Sequence, residues 1–284
     1  MSEEKLLLRL ATFMCPTHPV ELYELIAELL EEALDCYAVL QYESRSPGPI
    51  PNRPDPFQQN CIDIAFITAA AYMNMKKKDN KFVQLLPVTP VFAHQMNVEN
   101  KPGYFSDIII HSDKKAHNVN TLLDLRGCTF AYSNEDSLSG SKIVLKTLKE
   151  KGENASFFGS LLKSGSHLAS ARMVLSKQAE WAAVDSTTLL NSKKYMHDGG
   201  KDIIILETLG RLPPYPIIIN SRLPETIKDS ITKALLHLTT IAEWKKRFAK
   251  FGIIKFDNNS NQSYDGPAAQ MWSIQNETLN IRYY

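Results

Sequence analysis

A chain of 284 residues with 44% hydrophobic and 22% charged residues has an ordinary globular composition and enough length for about two domains. Lys and Arg number 32 against 31 Asp and Glu, so no basic excess favours nucleic acid or an anionic membrane surface as a partner. The four cysteines lack metal-ligand spacing, and no apolar run approaches the roughly 20 residues of a membrane-spanning helix. We therefore expect no nucleic-acid binding, no membrane insertion and no metal or other cofactor.

The first residues, Met-Ser-Glu-Glu, are acidic, whereas a secretory signal peptide begins with basic residues. The apolar run behind them, residues 6–14, contains Arg9 and has no small-residue cleavage site. These features predict that no signal peptide is present and that the protein is cytoplasmic.

Strand and helix patterns alternate along the first part of the chain. Residues 6–14 and 37–42 predict strands, and apolar side chains recur at helical spacing over residues 20–34, directly after Pro19. Five prolines within residues 44–56 predict a loop. The other elements predicted here are strands at residues 61–67, 82–92 and 104–111 and a helix that starts within the small-residue stretch 68–72.

A second alternating set follows. Its predicted strands cover residues 128–132, 181–184, 203–209 and 217–220, and its predicted helices cover residues 139–151, 166–177 and 187–195 and the stretch from residue 224. Two such sets predict a two-lobed α/β protein, each lobe a mainly parallel sheet flanked by helices. We assign residues 1–105 and 221–284 to lobe 1 and residues 106–220 to lobe 2, with a ligand cleft between the lobes.

The most informative segment, Ser-Asn-Glu-Asp-Ser-Leu-Ser-Gly-Ser-Lys, follows the strand at residues 128–132 and opens a helix. Unpaired N–H groups and the helix dipole make such a point attractive to an anion. Gly140 permits close approach of the backbone, and the hydroxyls of Ser137, Ser139 and Ser141 can donate to a tetrahedral oxyanion. The alternative interpretation is an ordinary N-cap, formed by Ser139 or Ser141.

Three segments together resemble the phosphonate and phosphate branch of the type II periplasmic binding proteins. The first is Asp-Leu-Arg-Gly at residues 124–127, followed by a strand and the serine-rich helix start. The second is Ser-Gly-Ser-His at residues 164–167 with Glu-Trp-Ala-Ala-Val-Asp-Ser at residues 180–186. The third is Ile-Asp-Ile-Ala-Phe-Ile-Thr-Ala-Ala-Ala-Tyr at residues 62–72. The three motifs are more specific together than any one alone.

This resemblance implies a soluble, hinged protein that binds a small phosphorus oxyanion (phosphonate, phosphate or phosphate ester) and passes it to a transporter or another downstream protein. The ligand-binding residues that it implies are Ser137, Ser139, Gly140, Ser141, Tyr72, His167 and Asp185. Tyr72 would reach the ligand from lobe 1, while His167 and Asp185 would form the pocket wall. Asp185 is equally well placed to cap the following helix. Tyr42, at a predicted strand end, is a weaker candidate of the same kind as Tyr72.

Two other functions stay open. Cys15 directly follows the first strand, and thiamin-metabolising enzymes of the same two-lobed fold use a cleft cysteine as a nucleophile. Such a cysteine needs a nearby base, and His18 is the only local one. A ligand sensor without a transporter would use the same site as the binding protein. We prefer binding without chemistry, because the sequence contains no H-E-x-x-H, G-x-S-x-G, P-loop or dinucleotide fingerprint.

Overall fold

The computed structural model describes residues 5–237 and 240–266. Its strands are β1 (Leu7–Thr12), β2 (Tyr37–Tyr42), β3 (Ile64–Phe66), β4 (Val83–Leu85), β5 (Val88–Phe92), β6 (Tyr104–His111), β7 (Thr129–Tyr132), β8 (Ser160–Lys163), β9 (Trp181–Asp185), β10 (Ile203–Leu212), β11 (Ile217–Asn220) and β12 (Ile253–Asn258). Its α-helices are α1 (Val20–Leu34), α2 (Ala69–Lys77), α3 (Ser112–Ala116), α4 (Ile143–Glu150), α5 (His167–Leu175), α6 (Ser186–Ser192), α7 (Glu225–His237) and α8 (Ala242–Ala249). Two compact units result: unit 1 extends to Gly103 and resumes at Pro213–Asp265, and unit 2 is Tyr104–Leu212.

The two units contain five-stranded sheets of the same topology. In unit 1 the order is β2-β1-β3-β11-β4; β1 is parallel to β2 and β3, and β11 is antiparallel to β3 and β4. In unit 2 the order is β8-β7-β9-β6-β10; β7 is parallel to β8 and β9, and β6 is antiparallel to β9 and β10. Each sheet therefore combines a parallel core with one reversed strand. This arrangement confirms the predicted α/β class.

The first helix shows how closely local sequence specifies the elements. α1 occupies the predicted residues, with Pro19 in an extended conformation directly before the first turn. Its buried side chains are Leu22, Tyr23, Leu25, Ile26, Ala27, Leu29 and Leu30. This apolar stripe recurs at helical spacing and packs against β1, β2 and α7. None of the helices in the described part of the chain is long and apolar enough to cross a membrane.

The prediction of a single strand at residues 82–92 is wrong. Pro87 separates β4, which joins the five-stranded sheet of unit 1, from β5, which pairs with β12 in a second sheet. Because proline lacks an N–H group, it interrupts a ladder at this point. β12 was not predicted at all, since its pairing partner lies far away in the sequence.

The chain returns to unit 1 earlier than the sequence analysis assigned. Residues 213–220 were assigned to lobe 2, but they belong to unit 1, because β11 forms ladders with β3 and β4. The chain first passes from unit 1 to unit 2 between Gly103 and Tyr104, close to the assigned boundary after residue 105. Residues 267–284, also assigned to lobe 1, lie outside the described residues.

An aromatic core aligns the strands that lead to the candidate site. Trp181 of β9 is fully buried and stacks on Phe130 of β7, with ring centroids 4.1 Å apart. The ring of Phe158 lies 6.0 Å from that of Trp181. Because β7 and β9 are parallel neighbours, they end at the same edge of the sheet, at Tyr132 and Asp185.

Candidate functional site

The segment after β7 leads into a continuous helix. A π-helical turn, Leu138–Lys142, runs directly into α4. The N-cap is Ser137, whose Oγ accepts a hydrogen bond of 2.9 Å from the N–H of Gly140. The predicted cap, Ser139 or Ser141, is therefore wrong, since the helix begins before both residues.

The wide first turn of this helix favours anion binding. The N–H groups of Ser141 and Lys142 both donate to the carbonyl of Ser137, at 3.2 and 3.0 Å. The earliest N–H groups of a helix have no partner within it, and the helix dipole adds positive potential at the same point. π-Helical turns are uncommon and occur frequently at functional sites. The helix start is thus suited to an anionic group.

Three polar side chains converge on Gly140. A Cβ atom at this position would lie 2.3 Å from Ser133 Oγ, 3.0 Å from Ser137 Oγ and 3.1 Å from His167 Cε1. No larger residue fits without displacing these groups. Residue 140 therefore favours glycine for a direct steric reason.

His167 connects the helix start to β9. Its Nε2 lies 3.3 Å from Ser137 Oγ and 3.4 Å from Ser139 Oγ. The backbone N–H of Asp185 lies 3.3 Å from Nδ1, and a hydrogen bond to the backbone of Ala183 also holds the ring against β9. Burial lowers the pKa of His167, and the nearby charge of Asp185 opposes this effect only in part. The ring is therefore neutral at pH 7.

Ser137 is the more exposed of the two serines beside His167. Its oxygen accepts from the N–H of Gly140 at 2.9 Å and lies 3.3 Å from Nε2 of His167. The side chain is partly exposed, whereas Ser139 is almost fully buried. Ser137 is therefore the serine at this turn that a ligand oxygen can reach from solvent.

β6 holds the helix start in place, and the sequence analysis missed this role. The hydroxyl of Ser106 donates to the carbonyl of Ser139 at 2.6 Å. Burial raises the pKa of Tyr104 well above its usual value, with the charge of Asp185 adding to the effect and a hydrogen bond to the Ser139 side chain opposing it. No local pattern marks Tyr104 or Ser106, because only the pairing of β6 with β9 brings β6 to the site.

Two of the predicted residues use their side chains within the protein. Ser141 is fully buried, and its hydroxyl lies within 2.8–3.0 Å of three backbone carbonyls of residues 134–137. Asp185 caps α6 by accepting from the N–H of Thr187 at 2.9 Å and from its hydroxyl at 2.6 Å. The capping interpretation of Asp185 therefore holds, and the ligand roles of both residues stay predictions.

Tyr72 and Tyr42 belong to unit 1. Tyr72 lies on α2, where its hydroxyl donates to Asn261 at 2.7 Å and its ring contacts Tyr264. Burial raises the pKa of Tyr72 to about 12, so its hydroxyl stays protonated. Tyr42 ends the edge strand β2 and is exposed. The ligand contacts predicted for both tyrosines stay predictions.

The acidic residues beside the helix start are exposed to solvent. Glu135 pairs with Lys163 at 3.5 Å, and Asp136 is exposed beside it. Water and the lysine weaken the repulsion that these carboxylates exert on an anion at the helix start. Lys142, by contrast, is buried.

Cys15 does not have the environment of a nucleophile. Burial raises the pKa of its thiol to about 11, and the charge of Glu21 adds to this effect. His18, the base suggested by the sequence, is buried with Nδ1 2.7 Å from the hydroxyl of Tyr23, and burial lowers its pKa to about 3. Because a reactive cysteine needs a lowered pKa, the structure does not support the cysteine-enzyme alternative.

Comparisons with known proteins show the family and the fold of the chain. The family model for the periplasmic substrate-binding protein of ABC phosphonate transporters matches residues 18–264. The phosphonates-binding periplasmic protein of Escherichia coli (strain K12) is 27% identical over 204 residues, which are 71% of this chain and 58% of the relative. The match thus spans less than two thirds of that protein.

Two solved structures show the same fold. A binding protein component of an ABC phosphonate transporter from Pseudomonas aeruginosa has a TM-score of 0.73 and 17% identity, covering 94% of this chain and 86% of that one. PhnD1 from Prochlorococcus marinus in complex with methylphosphonate has a TM-score of 0.70 and 14% identity, covering 95% and 98%. The predicted binding-protein fold is confirmed.

The predicted cytoplasmic location is wrong. The matching family model describes periplasmic substrate-binding proteins, and the Escherichia coli relative is a periplasmic protein. The prediction depended on the acidic first residues, which carry no information about the family that the fold and the internal motifs indicate.

Proposed function

The chain belongs to the family of periplasmic substrate-binding proteins of ABC phosphonate transporters, and on this premise we propose that unit 2 binds a small phosphorus oxyanion at the helix start after Ser137. The ligand class comprises phosphonates, phosphate and phosphate esters. Binding requires no covalent step, and the helix start offers the donors that such an anion needs.

One observation carries the proposal. The hydroxyls of Ser137 and Ser139 and Nε2 of His167 converge within 3.4 Å at the first turn of a helix. Hydroxyl and backbone N–H donors bind anionic oxygens without bringing a charge of their own into a buried site, and hydrogen bonds to a charged group are stronger than neutral ones. Gly140 leaves the space in which these donors approach one another.

We also propose that the loaded protein delivers its ligand to the membrane permease of an ABC transporter. Support comes from the family model, which describes a component of such transporters. The hinged closure expected from the sequence remains a prediction.

Calorimetric melting with added methylphosphonate, phosphate or phosphite tests the proposed ligand class. At a ligand concentration 100 times the Kd, the free energy of unfolding should rise by about 2.7 kcal/mol, since only the folded protein binds. Sodium chloride at equal ionic strength is the control. A rise that sodium chloride reproduces, or no rise with any phosphorus oxyanion, contradicts the proposal.

Ser137→Ala tests where the anion lies. Loss of one hydrogen bond to a charged ligand should weaken binding about 10-fold by isothermal titration calorimetry. Loss of the N-cap should also lower stability by about 1 kcal/mol, so affinity rather than melting temperature is compared. Ser176→Ala, at an exposed position at the end of α5 in the same unit, should bind like the wild type. Equal affinities for Ser137→Ala and Ser176→Ala place the ligand elsewhere.

A further inference from the structure

Ser133 carries a buried hydroxyl without a hydrogen-bond partner. It directly follows β7, and its side chain is 2% exposed. Its backbone carbonyl accepts from the N–H of Gly165 at 3.0 Å, but among the residues that the structure describes, Oγ has no partner. Buried polar groups are nearly always paired, so an unpaired hydroxyl beside a candidate ligand site calls for a functional reason.

The position of this hydroxyl indicates what its partner is. Of the groups that approach Gly140, Ser133 Oγ lies nearest to the point where a Cβ would be, at 2.3 Å, ahead of Ser137 and His167. The hydroxyl therefore belongs to the same cluster as the proposed anion donors. A serine has one side-chain torsion between its backbone and its oxygen, so a rotation of χ1 redirects the hydroxyl without moving the strand.

We propose that Ser133 is a further ligand-binding residue, whose hydroxyl donates to an oxygen of the anion held at the helix start. The inference rests on the proposed function of unit 2. With Ser133, three serine hydroxyls surround the helix start, the others being those of Ser137 and Ser139. Three donors match a group with three terminal oxygens, such as the PO₃ group of a phosphonate, rather than the two oxygens of a carboxylate.

Ser133→Ala separates this role from a structural one, because its effects on affinity and stability differ in sign. The affinity for methylphosphonate should fall about 10-fold, through loss of a hydrogen bond to a charged ligand. The melting temperature of the ligand-free protein should stay unchanged or rise by about 2 °C, since the variant removes an unsatisfied buried group.

Thr188→Val is the matched control. Thr188 lies on α6 in the same unit, and among the described residues its buried hydroxyl is also without a partner. This variant should keep the affinity of the wild type, with an equal or higher melting temperature. Isothermal titration calorimetry with methylphosphonate gives the affinities, and calorimetric melting without ligand gives the stabilities.

The outcomes distinguish the two proposals. If the wild-type protein binds no phosphorus oxyanion, the proposed function itself fails. If the wild type binds methylphosphonate and Ser133→Ala binds it equally well, only the role of Ser133 fails. A lower melting temperature of ligand-free Ser133→Ala, or an equal loss of affinity in Thr188→Val, also overturns the role of Ser133.

Discussion

Gly140→Ala is expected to weaken binding of methylphosphonate at least about 100-fold, because at least two hydrogen bonds to the charged ligand are disturbed together. The added methyl group would lie 2.3 Å from Ser133 Oγ, 3.0 Å from Ser137 Oγ and 3.1 Å from His167 Cε1. These groups must move away from the positions in which they face the ligand. Overpacking should cost about 1–3 kcal/mol of stability, partly offset by the higher helix propensity of alanine.

Gly152→Ala is the control for this variant, because Gly152 follows the other end of the same helix. Gly152 has a φ of +79°, and a Cβ there would meet no atom within 4 Å. Alanine at that position should lower stability by about 1 kcal/mol through backbone strain, with no change in affinity. Isothermal titration calorimetry compares the two variants. Wild-type affinity in Gly140→Ala would show that the ligand does not depend on this turn.

Lowering the pH from 7 to 4.5 is expected to reduce the free energy of unfolding by about 2.5 kcal/mol through His18 alone. The ring of His18 is buried against Phe92 and Tyr215, at centroid distances of 5.1 and 4.9 Å, and burial lowers its pKa from 6.5 to about 3. Unfolding therefore takes up a proton below about pH 6.5. The stability due to the neutral ring is complete above that pH and is lost as the pH falls towards 3.

Urea unfolding at pH 7, 6, 5 and 4.5 measures this dependence in the wild type and in His18→Gln. Glutamine can still hydrogen-bond to the hydroxyl of Tyr23 but does not titrate, so its stability should fall less steeply with decreasing pH. His197→Gln is the control, since the side chain of His197 is 89% exposed and should contribute little. The explanation is refuted if His18→Gln and the wild type lose stability in parallel.

Short-range patterns were sufficient for most of the secondary structure. The helical spacing of apolar residues located α1, and the small residues at 68–72 located the start of α2, because these signals act over a few residues. The same signals failed at Pro87, where one predicted strand is two. They also failed at β12, whose partner β5 lies in a distant part of the chain.

The helix start after β7 illustrates the same difference within the site. The strand, the glycine and the serines are adjacent in sequence, so an anion-binding helix start could be predicted, and together with the other motifs it indicated the family. The capping residue could not be predicted, because the π-helical turn moves the first helical residue to Leu138. Residues 137, 139 and 141 are all serines and cannot be distinguished by residue type, but their surroundings in the folded protein differ.

The residues around Gly140 depend on contacts between elements that are separate in sequence. His167 comes from α5 and Ser106 from β6, and both meet the helix start because β9 pairs with β6 and β7 in one sheet. The unpaired hydroxyl of Ser133 and the buried ring of His18 likewise depend on what packs around them. The amino-acid sequence therefore specified the fold class, the serine-rich helix start proposed to bind the anion and the family, since these depend on local patterns. The assembled sheets assigned the individual side chains, because burial and hydrogen-bond partners arise from long-range packing.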